Sequence, residues 1–278
     1  MVYSLKIRDW IDINKLDLDE LYYNINNNIN KHRYIWYYLS SNPNEIELLK
    51  KNIDKIVWDR LCVNVNLEAI ELLKENKNKI HWYNLSCNPS AIELLKENLN
   101  EINWIGLSTN TNPNAIKILK ENKSKIDWYN LSTNPSAIEL LKENKNKIVW
   151  DRLSANVSLE AIKLLKLSPN KINWYWLSRN PSAIELLEAN IDKIDWSGLS
   201  TNSNPKVIKL LKKNLNKVDW HYLSSNPNAI ELLEENKDKI DYFNLSSNPA
   251  IFTYDYNLIK NNFKELKKEI IIKSLKFK

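Results

Sequence analysis

Residues 128–145 read W-Y-N-L-S-T-N-P-S-A-I-E-L-L-K-E-N-K, and variants of this stretch recur along most of the 278-residue chain. Its first position, which we call the Trp slot, returns at gaps that alternate between 22 and 24 residues. The slot is filled by Trp36, Trp58, Trp82, Trp104, Trp128, Trp150, Trp174, Trp196, Trp220 and Tyr242. Leu follows each slot by three residues and Asn follows it by six. A fixed period in this range predicts stacked repeats, each burying its apolar face against its neighbours.

A longer period is nested in the short one. Residues 36–127 and 128–219 are identical at 60 of 92 aligned positions. The only two glycines, Gly106 and Gly198, stand 92 residues apart at the same place in the repeat. We infer that a block of four repeats was copied once, so most positions have a counterpart 92 residues away.

Each repeat predicts two short helices. Asn-Pro places an N-cap before a Pro at the first helical position, and A-I-E-L-L then forms a helical apolar stripe. The Asn that ends this helix is expected to take the left-handed C-cap conformation that Gly usually fills. The second helix begins at the Trp slot, and its predicted N-caps are Asp127, Asp195, Asp219 and Asp241. Acidic and basic residues three apart predict surface ion pairs on the first helix: Glu47–Lys50, Glu71–Lys74, Glu93–Lys96 and Glu139–Lys142.

The predicted fold is therefore all-α, a right-handed α-solenoid of about ten short helix pairs whose Trp, Ile and Leu positions form columns of a continuous core. A leucine-rich repeat shares the period but needs an apolar residue where this chain has Asp59, Asp151 and Ser197. The domain prediction has three parts. A cap with one degenerate repeat covers 1–35, tandem repeats cover 36–253, and a basic capping helix covers 254–278.

The repeat motif W-x-x-L-S-x-N-P-x-A-I-x-L-L-K-x-N is followed by A-I-F-T-Y-D-Y at 250–256 and a charged segment. In these features the chain resembles repeat proteins of giant amoeba-infecting DNA viruses over about 36–275. The Asn, Ile and Lys bias is also typical of an AT-rich genome. The resemblance implies helical repeats and a viral origin, with a location in the host cytoplasm during infection or in the virion. It implies no activity, cofactor or ligand.

Composition argues against catalysis. Two glycines cannot form a phosphate-binding loop, and His32, His81 and His221 lack neighbours at metal-ligand spacing. We therefore expect no enzyme activity, no cofactor, no metal and no small-molecule substrate. No leader and no apolar run of about 20 residues is present, so no membrane partner is expected. Cys62 and Cys87 follow no paired motif, which favours a reducing, cytoplasmic compartment.

Two surfaces are candidates for binding. The first is formed by the two residues after each Trp slot, where large amphipathic side chains favour a protein interface. Its members are Tyr37, Tyr38, Tyr83, Tyr129, Tyr175, Trp176 and Tyr222. The alternative is that these rings pack between repeats with only the hydroxyl in water. Asp59-Arg60 and Asp151-Arg152 interrupt the series and predict local salt bridges.

The second surface is a lysine row three residues before the Trp slot, which could follow a phosphate backbone. Its members are Lys55, Lys79, Lys125, Lys147, Lys171, Lys193, Lys217 and Lys239, with Glu101 as the interruption. The alternative is that each Lys offsets the dipole of the preceding helix. The net charge of +6 lies mostly in 254–278, where seven Lys face three acidic residues, so the body is almost neutral.

Three functions follow from these surfaces. The first is a non-enzymatic scaffold or adaptor that binds a host or viral protein. The second is a nucleic-acid-binding solenoid that uses the lysine row. The third is a structural component of the virion.

Overall fold

The computed structural model describes residues 5–16 and 31–254. The degenerate repeat expected over 16–24 and the basic helix expected over 254–278 lie almost wholly outside these residues. The division of the chain into caps and tandem repeats stays a prediction.

Nineteen α-helices lie in the described residues, and they alternate between two kinds. Odd-numbered helices carry the Trp slot, and even-numbered helices carry the I-E-L-L motif or its variants. They are α1 (Lys31–Ser41), α2 (Ile46–Lys50), α3 (Trp58–Leu61), α4 (Leu67–Glu75), α5 (Trp82–Cys87), α6 (Ile92–Glu97), α7 (Trp104–Thr109), α8 (Pro113–Glu121), α9 (Trp128–Thr133), α10 (Ile138–Glu143), α11 (Trp150–Ser154), α12 (Leu159–Lys166), α13 (Trp174–Arg179), α14 (Ile184–Glu188), α15 (Trp196–Ser200), α16 (Val207–Lys212), α17 (Trp220–Ser224), α18 (Ile230–Glu235) and α19 (Tyr242–Ser246).

Short 3-10 turns join the helices. One turn follows each even-numbered helix and ends three residues before the next Trp slot, as in Lys123–Lys125 and Lys145–Lys147. Another turn opens at several Asn-Pro sites, so Pro135–Ala137 precedes α10 instead of forming its first α-helical turn. The prediction of an all-α solenoid of helix pairs is confirmed, and the residues after the Trp slot are helical, which excludes the leucine-rich repeat. No helix in the described residues is long and apolar enough to cross a bilayer.

The chain forms two compact units, Asn26–Asn202 and a smaller one of Met1–Ile25 with Ser203–Lys278. The larger unit consists of stacked helix pairs. The smaller unit contains the later repeats and a two-stranded antiparallel sheet of β1 (Leu5–Ile7) and β2 (Phe252–Tyr254). Arg8 strengthens this pairing, because its backbone N–H donates to the carbonyl of Ile251 at 2.9 Å and its Nε donates to that of Ala250 at 2.8 Å. Sequence patterns did not predict the strands.

The buried core is made mainly of Leu, Ile and Ala, so the predicted Leu and Ile columns are confirmed. The Leu three residues after the slot is fully buried in every repeat from Leu61 to Leu245. A second column of fully buried Leu lies on the even-numbered helices, as at Leu141. The Trp slot itself is only half-buried throughout the described repeats, as at Trp128. The expectation that indole rings form a core column was therefore wrong, because only part of each ring is covered.

The Asn six residues after the slot joins neighbouring repeats. Asn134 is buried, and its Nδ2 donates to the carbonyl of Ser108 at 3.1 Å and to that of Asn110 at 2.8 Å in the preceding repeat. Its Oδ1 accepts from the backbone N–H of Ser136, which is the predicted N-cap. The same pair of inter-repeat bonds is made by Asn64, Asn88, Asn110, Asn156, Asn180, Asn202 and Asn248. We call this series the asparagine ladder.

A serine four residues after the slot adds a second link between repeats. Ser132 Oγ donates to the carbonyl of Trp128 at 2.7 Å and accepts, at 3.0 Å, from the backbone N–H of Val149, the N-cap residue of the next odd-numbered helix, α11. Cys62 stands in this position in one repeat, and its Sγ accepts from the N–H of His81 at 3.3 Å. Burial raises the pKa of the Cys62 thiol to about 11, so the thiol is protonated at neutral pH.

The predicted N-caps are confirmed, whereas the predicted left-handed conformation at the C-caps is wrong. Asp127, Asp195, Asp219 and Asp241 each accept a backbone N–H of the first turn, which confirms them as N-caps. The Asn that ends the even-numbered helix is not left-handed; Asn122 has φ −123° and ψ 49°. Its Nδ2 instead donates to the carbonyl of Ile118, four residues back, at 2.9 Å. The side chain thus satisfies the helix end without a positive φ.

The predicted ion pairs on the even-numbered helices are confirmed, with Nζ–Oε distances of 2.8–3.3 Å. The same lysines also reach the next repeat in several places, as where Lys142 contacts Glu160 at 3.1 Å. Lys120–Glu143 and Lys212–Glu235 join adjacent even-numbered helices directly, both at 2.8 Å. These pairs are exposed, so solvent screens them and each contributes little to stability.

Removing one rung of the asparagine ladder is expected to destabilise the protein strongly. Asn134→Ala removes two inter-repeat bonds and one cap bond, and should cost about 2–4 kcal/mol in urea denaturation. Asn134→Asp keeps the cap acceptor but places a carboxylate against two carbonyl oxygens, so it should cost at least as much. Asn146→Ala, an exposed change in a 3-10 turn, is the control and should cost less than about 0.5 kcal/mol. Wild-type stability of Asn134→Asp would show that the cap alone matters.

The two glycines should respond unequally to alanine. A Cβ on Gly106 would lie 2.7 Å from the backbone oxygen of Tyr83, which cannot move easily. A Cβ on Gly198 would lie 2.9 Å from the Asp195 carboxylate and 3.2 Å from the nearest backbone oxygen, that of Tyr175. Gly106→Ala should therefore cost about 1–3 kcal/mol, and Gly198→Ala less. Equal melting temperatures for the two variants would contradict the close approach at Gly106.

Candidate interaction surface

The residue directly after the Trp slot lies in the first turn of an odd-numbered helix and points away from the buried Leu column. Tyr83 is 43% exposed, Tyr129 is 53% exposed and Tyr175 is 43% exposed. Tyr37 is 36% exposed. These values do not fit rings packed between repeats with only the hydroxyl in water. The structure thus places the predicted tyrosines on the surface.

The second residue after the slot adds aromatic area in some repeats. Tyr38 is 57% exposed and lies edge-on to Tyr37, with ring centroids 5.5 Å apart. Trp176 is half-buried and lies edge-on to Tyr175 at 5.1 Å. We call the larger unit's set the aromatic ridge: Tyr37, Tyr38, Tyr83, Tyr129, Tyr175 and Trp176. In the smaller unit, Tyr222 is 40% exposed and lies edge-on to His221 at 5.1 Å.

Three arginines stack on the ridge. Arg179 lies 4.8 Å from the ring centroid of Tyr175 in its own repeat, and two further arginines reach rings of neighbouring repeats. The guanidinium of Arg60 lies 4.3 Å from the ring centroid of Tyr37 in the preceding repeat. Arg152, its counterpart 92 residues later, lies 4.4 Å from Tyr129 and 5.5 Å from Trp176. The Nε atoms of Arg60 and Arg152 are buried without a hydrogen-bond partner among the described residues. Contact with ring faces therefore holds these cations.

The salt bridges predicted within Asp59-Arg60 and Asp151-Arg152 do not form among the described residues. Asp59 Oδ1 accepts from the backbone N–H of Arg60 at 3.0 Å, while the guanidinium turns to Tyr37. The sequence contained the signal that was missed. In both blocks, a Tyr stands one residue after a Trp slot, and an Arg stands two residues after the next Trp slot.

The lysine row lies on the tryptophans. The predicted lysines are exposed, and several place Nζ over the ring of the Trp slot that begins their own repeat. The distances from Nζ to the ring centroid are 5.3 Å for Lys55–Trp36, 4.6 Å for Lys125–Trp104, 4.5 Å for Lys171–Trp150, 5.3 Å for Lys193–Trp174 and 5.0 Å for Lys239–Trp220. Lys79, Lys147 and Lys217 occupy the same place in their turns and are also exposed.

These contacts give the lysine row a structural role that differs from the predicted compensation of the helix dipole. The lysines cover the tryptophan rings. A cation over an indole face is stabilised by the negative charge of the π-system. The lysine stem also covers part of a ring that the repeat leaves half-exposed. The Trp slot and the lysine row are separate features of the sequence, but in the structure their side chains form one feature of the surface.

The described residues contain no group of three or more His, Cys, Asp or Glu side chains placed to hold a metal ion. The surface instead offers aromatic rings, cations and hydroxyls on a regular helical framework. Such an arrangement defines a helical-repeat protein.

No family model, curated protein or solved structure matches this chain.

Arg152 and Tyr129 should be energetically coupled. In a double-mutant cycle with Arg152→Met and Tyr129→Leu, we expect a coupling of about 0.5–1 kcal/mol in urea denaturation. Tyr83→Leu, three repeats before Arg152, is the matched partner for a control cycle with Arg152→Met and should show no coupling. Equal coupling in the two cycles would mean that the ring stacking has no energetic effect.

Proposed function

We propose that this protein is a non-enzymatic scaffold or adaptor that binds a protein partner through the aromatic ridge. The observation that carries the proposal is the exposure of tyrosines at the same position after the Trp slot in alternate repeats, with arginines stacked on several of their rings. Tyr, Trp and Arg are the residue types enriched at the energetic centres of protein interfaces. Tyr side chains also lose little conformational entropy on binding, because they have only two rotatable side-chain bonds.

The framework supports this role. The asparagine ladder fixes each odd-numbered helix against its neighbour, so the ridge side chains are held at set positions before binding. Preorganisation of this kind lowers the entropic cost of association. From the resemblance to repeat proteins of giant DNA viruses, we propose a host or viral partner, and a place in the host cytoplasm or the virion.

Nucleic-acid binding is the second candidate function, and the lysine row favours it. Exposed cations alternate with tryptophan rings along the row, a combination that single-stranded nucleic-acid sites also use. The contact of Lys125, Lys171 and others with indole faces weakens this candidate, since a base would have to displace the cation to stack. The two functions differ in their dependence on salt.

The ridge can be tested with a double substitution, Tyr83→Ala with Tyr175→Ala. Immobilised wild-type protein should retain a protein partner at 0.5 M salt, and the double variant should lose about tenfold or more of it. Both side chains are exposed, so the melting temperature should change little.

The matched control is Leu159→Ala with Leu167→Ala. It removes exposed apolar surface at the two ends of helix α12, where Leu159 is 69% and Leu167 is 81% exposed. This control should bind like the wild type. Retention of the partner by the tyrosine variant, or capture only of nucleic acid that is lost steeply with salt, would overturn the scaffold proposal.

A further inference from the structure

One position of the lysine row carries the opposite charge. The 3-10 turn Leu99–Glu101 ends in Glu101, whereas the other described turns that follow an even-numbered helix end in Lys. In the duplicated block the counterpart of Glu101 is Lys193, and the counterpart of Trp82 is Trp174. Lys193 Nζ lies 5.3 Å from the centroid of the Trp174 ring.

The backbone around Glu101 matches that around Lys193. Asn98 and Asn190, which begin the two turns, have φ/ψ of −134°/51° and −141°/53°. Ile102 and Ile194, which end them, have −58°/124° and −63°/128°. Glu101 therefore leaves the backbone where Lys193 does, so its side chain starts from the position from which Lys193 reaches the Trp174 ring.

The Trp82 ring consequently lacks the cation that its counterpart has. Trp82 is half-buried like the other slot residues, and Glu101 is exposed. Among residues 5–16 and 31–254, no Lys or Arg lies over the Trp82 ring and none pairs with the Glu101 carboxylate. An indole face and a carboxylate on the same side both favour a positive charge between them.

We propose that Trp82 and Glu101 form a binding site for the ammonium group of a lysine side chain from a protein partner. The chain's own lysines elsewhere in the row indicate how the ligand binds. Their Nζ atoms lie 4.5–5.3 Å from an indole centroid, and the bound ammonium takes the same place over Trp82. At Trp82 that place is left for an external ammonium, and Glu101 supplies the counter-charge. The site is separate from the aromatic ridge and does not depend on the scaffold function.

The site also selects by position. Lys79 and Lys125 occupy the equivalent places one repeat before and one repeat after Glu101. An incoming ammonium is repelled at both of them and attracted only at Glu101. A partner lysine is therefore accepted at a single repeat, which would set the register of the partner along the stack.

Binding can be measured by NMR on the indole N–H signals of ¹⁵N-labelled protein, with Nα-acetyl-lysine methylamide as the probe. The Trp82 and Trp174 signals are assigned with Trp82→Phe and Trp174→Phe. In the wild type the probe should shift the Trp82 signal saturably and leave Trp174 unchanged. Nα-acetyl-norleucine methylamide, which has no charge on its side chain, should shift neither signal.

Two charge exchanges provide the decisive comparison. Glu101→Lys restores the residue found elsewhere in the row and should weaken the probe's binding at Trp82 by about fivefold or more. Lys193→Glu should create a second site, seen as a saturable shift of the Trp174 signal. Unchanged binding in Glu101→Lys, or equal shifts of Trp82 and Trp174 in the wild type, would overturn the proposal. Loss of partner binding in the tyrosine ridge variant would leave these NMR results unaffected.

Discussion

The repeated contact on which the structure depends is the pair of hydrogen bonds from a buried asparagine amide to two carbonyls of the preceding repeat. Asn134 reaches Ser108 and Asn110 in this way, and Asn110 reaches the repeat before it. The bonds join backbone to side chain, so they fix the spacing of neighbouring repeats whatever residues occupy the surface. Repeats that lack the proline, such as those at Asn64 and Asn156, keep both bonds. The amide, more than Asn-Pro as a unit, holds the stack together.

Because the core and the asparagine ladder hold the repeats together, the surface residues can vary. Leu, Ile and Ala columns fill the core, and the ladder sets the distance between repeats, so the positions directly after the Trp slots, which are exposed in nearly all described repeats, make little contribution to stacking. These positions hold Tyr, Asp, Ile and Ser in different repeats. Where Arg152 stands beside Tyr129 and Trp176, the variable positions build a contact of their own on the fixed framework. The residues at these positions can therefore change without changes to the core.

Much of the fold could be predicted from the sequence because its signals are local. Helix pairs follow from the apolar stripe, the N-caps from Asn and Asp before each helix, and the ion pairs from three-residue spacing. The asparagine ladder was missed because Asn134 already has a sufficient local explanation as an N-cap, and its Nδ2 bonds span 24 and 26 residues. The C-cap at Asn122 was misjudged for a related reason: its amide bonds back to Ile118, which removes the need for a left-handed residue. The strands β1 and β2 are three residues each and nearly the whole chain apart, so no periodicity marks them.

The surface shows the same limit, since contacts between residues far apart in sequence decide what each residue does. A lysine three residues before a slot looks like a free cation when the sequence is read along the chain, yet Lys125 and Lys171 cover the tryptophans that begin their own repeats. Because those rings are only half-buried, the cation serves as part of their cover. A change at one position of the row therefore exposes an indole and reverses a charge in the same step. Glu101 beside Trp82 is that change, and its counterpart Lys193 beside Trp174 shows that the repeat tolerates either residue on the same backbone.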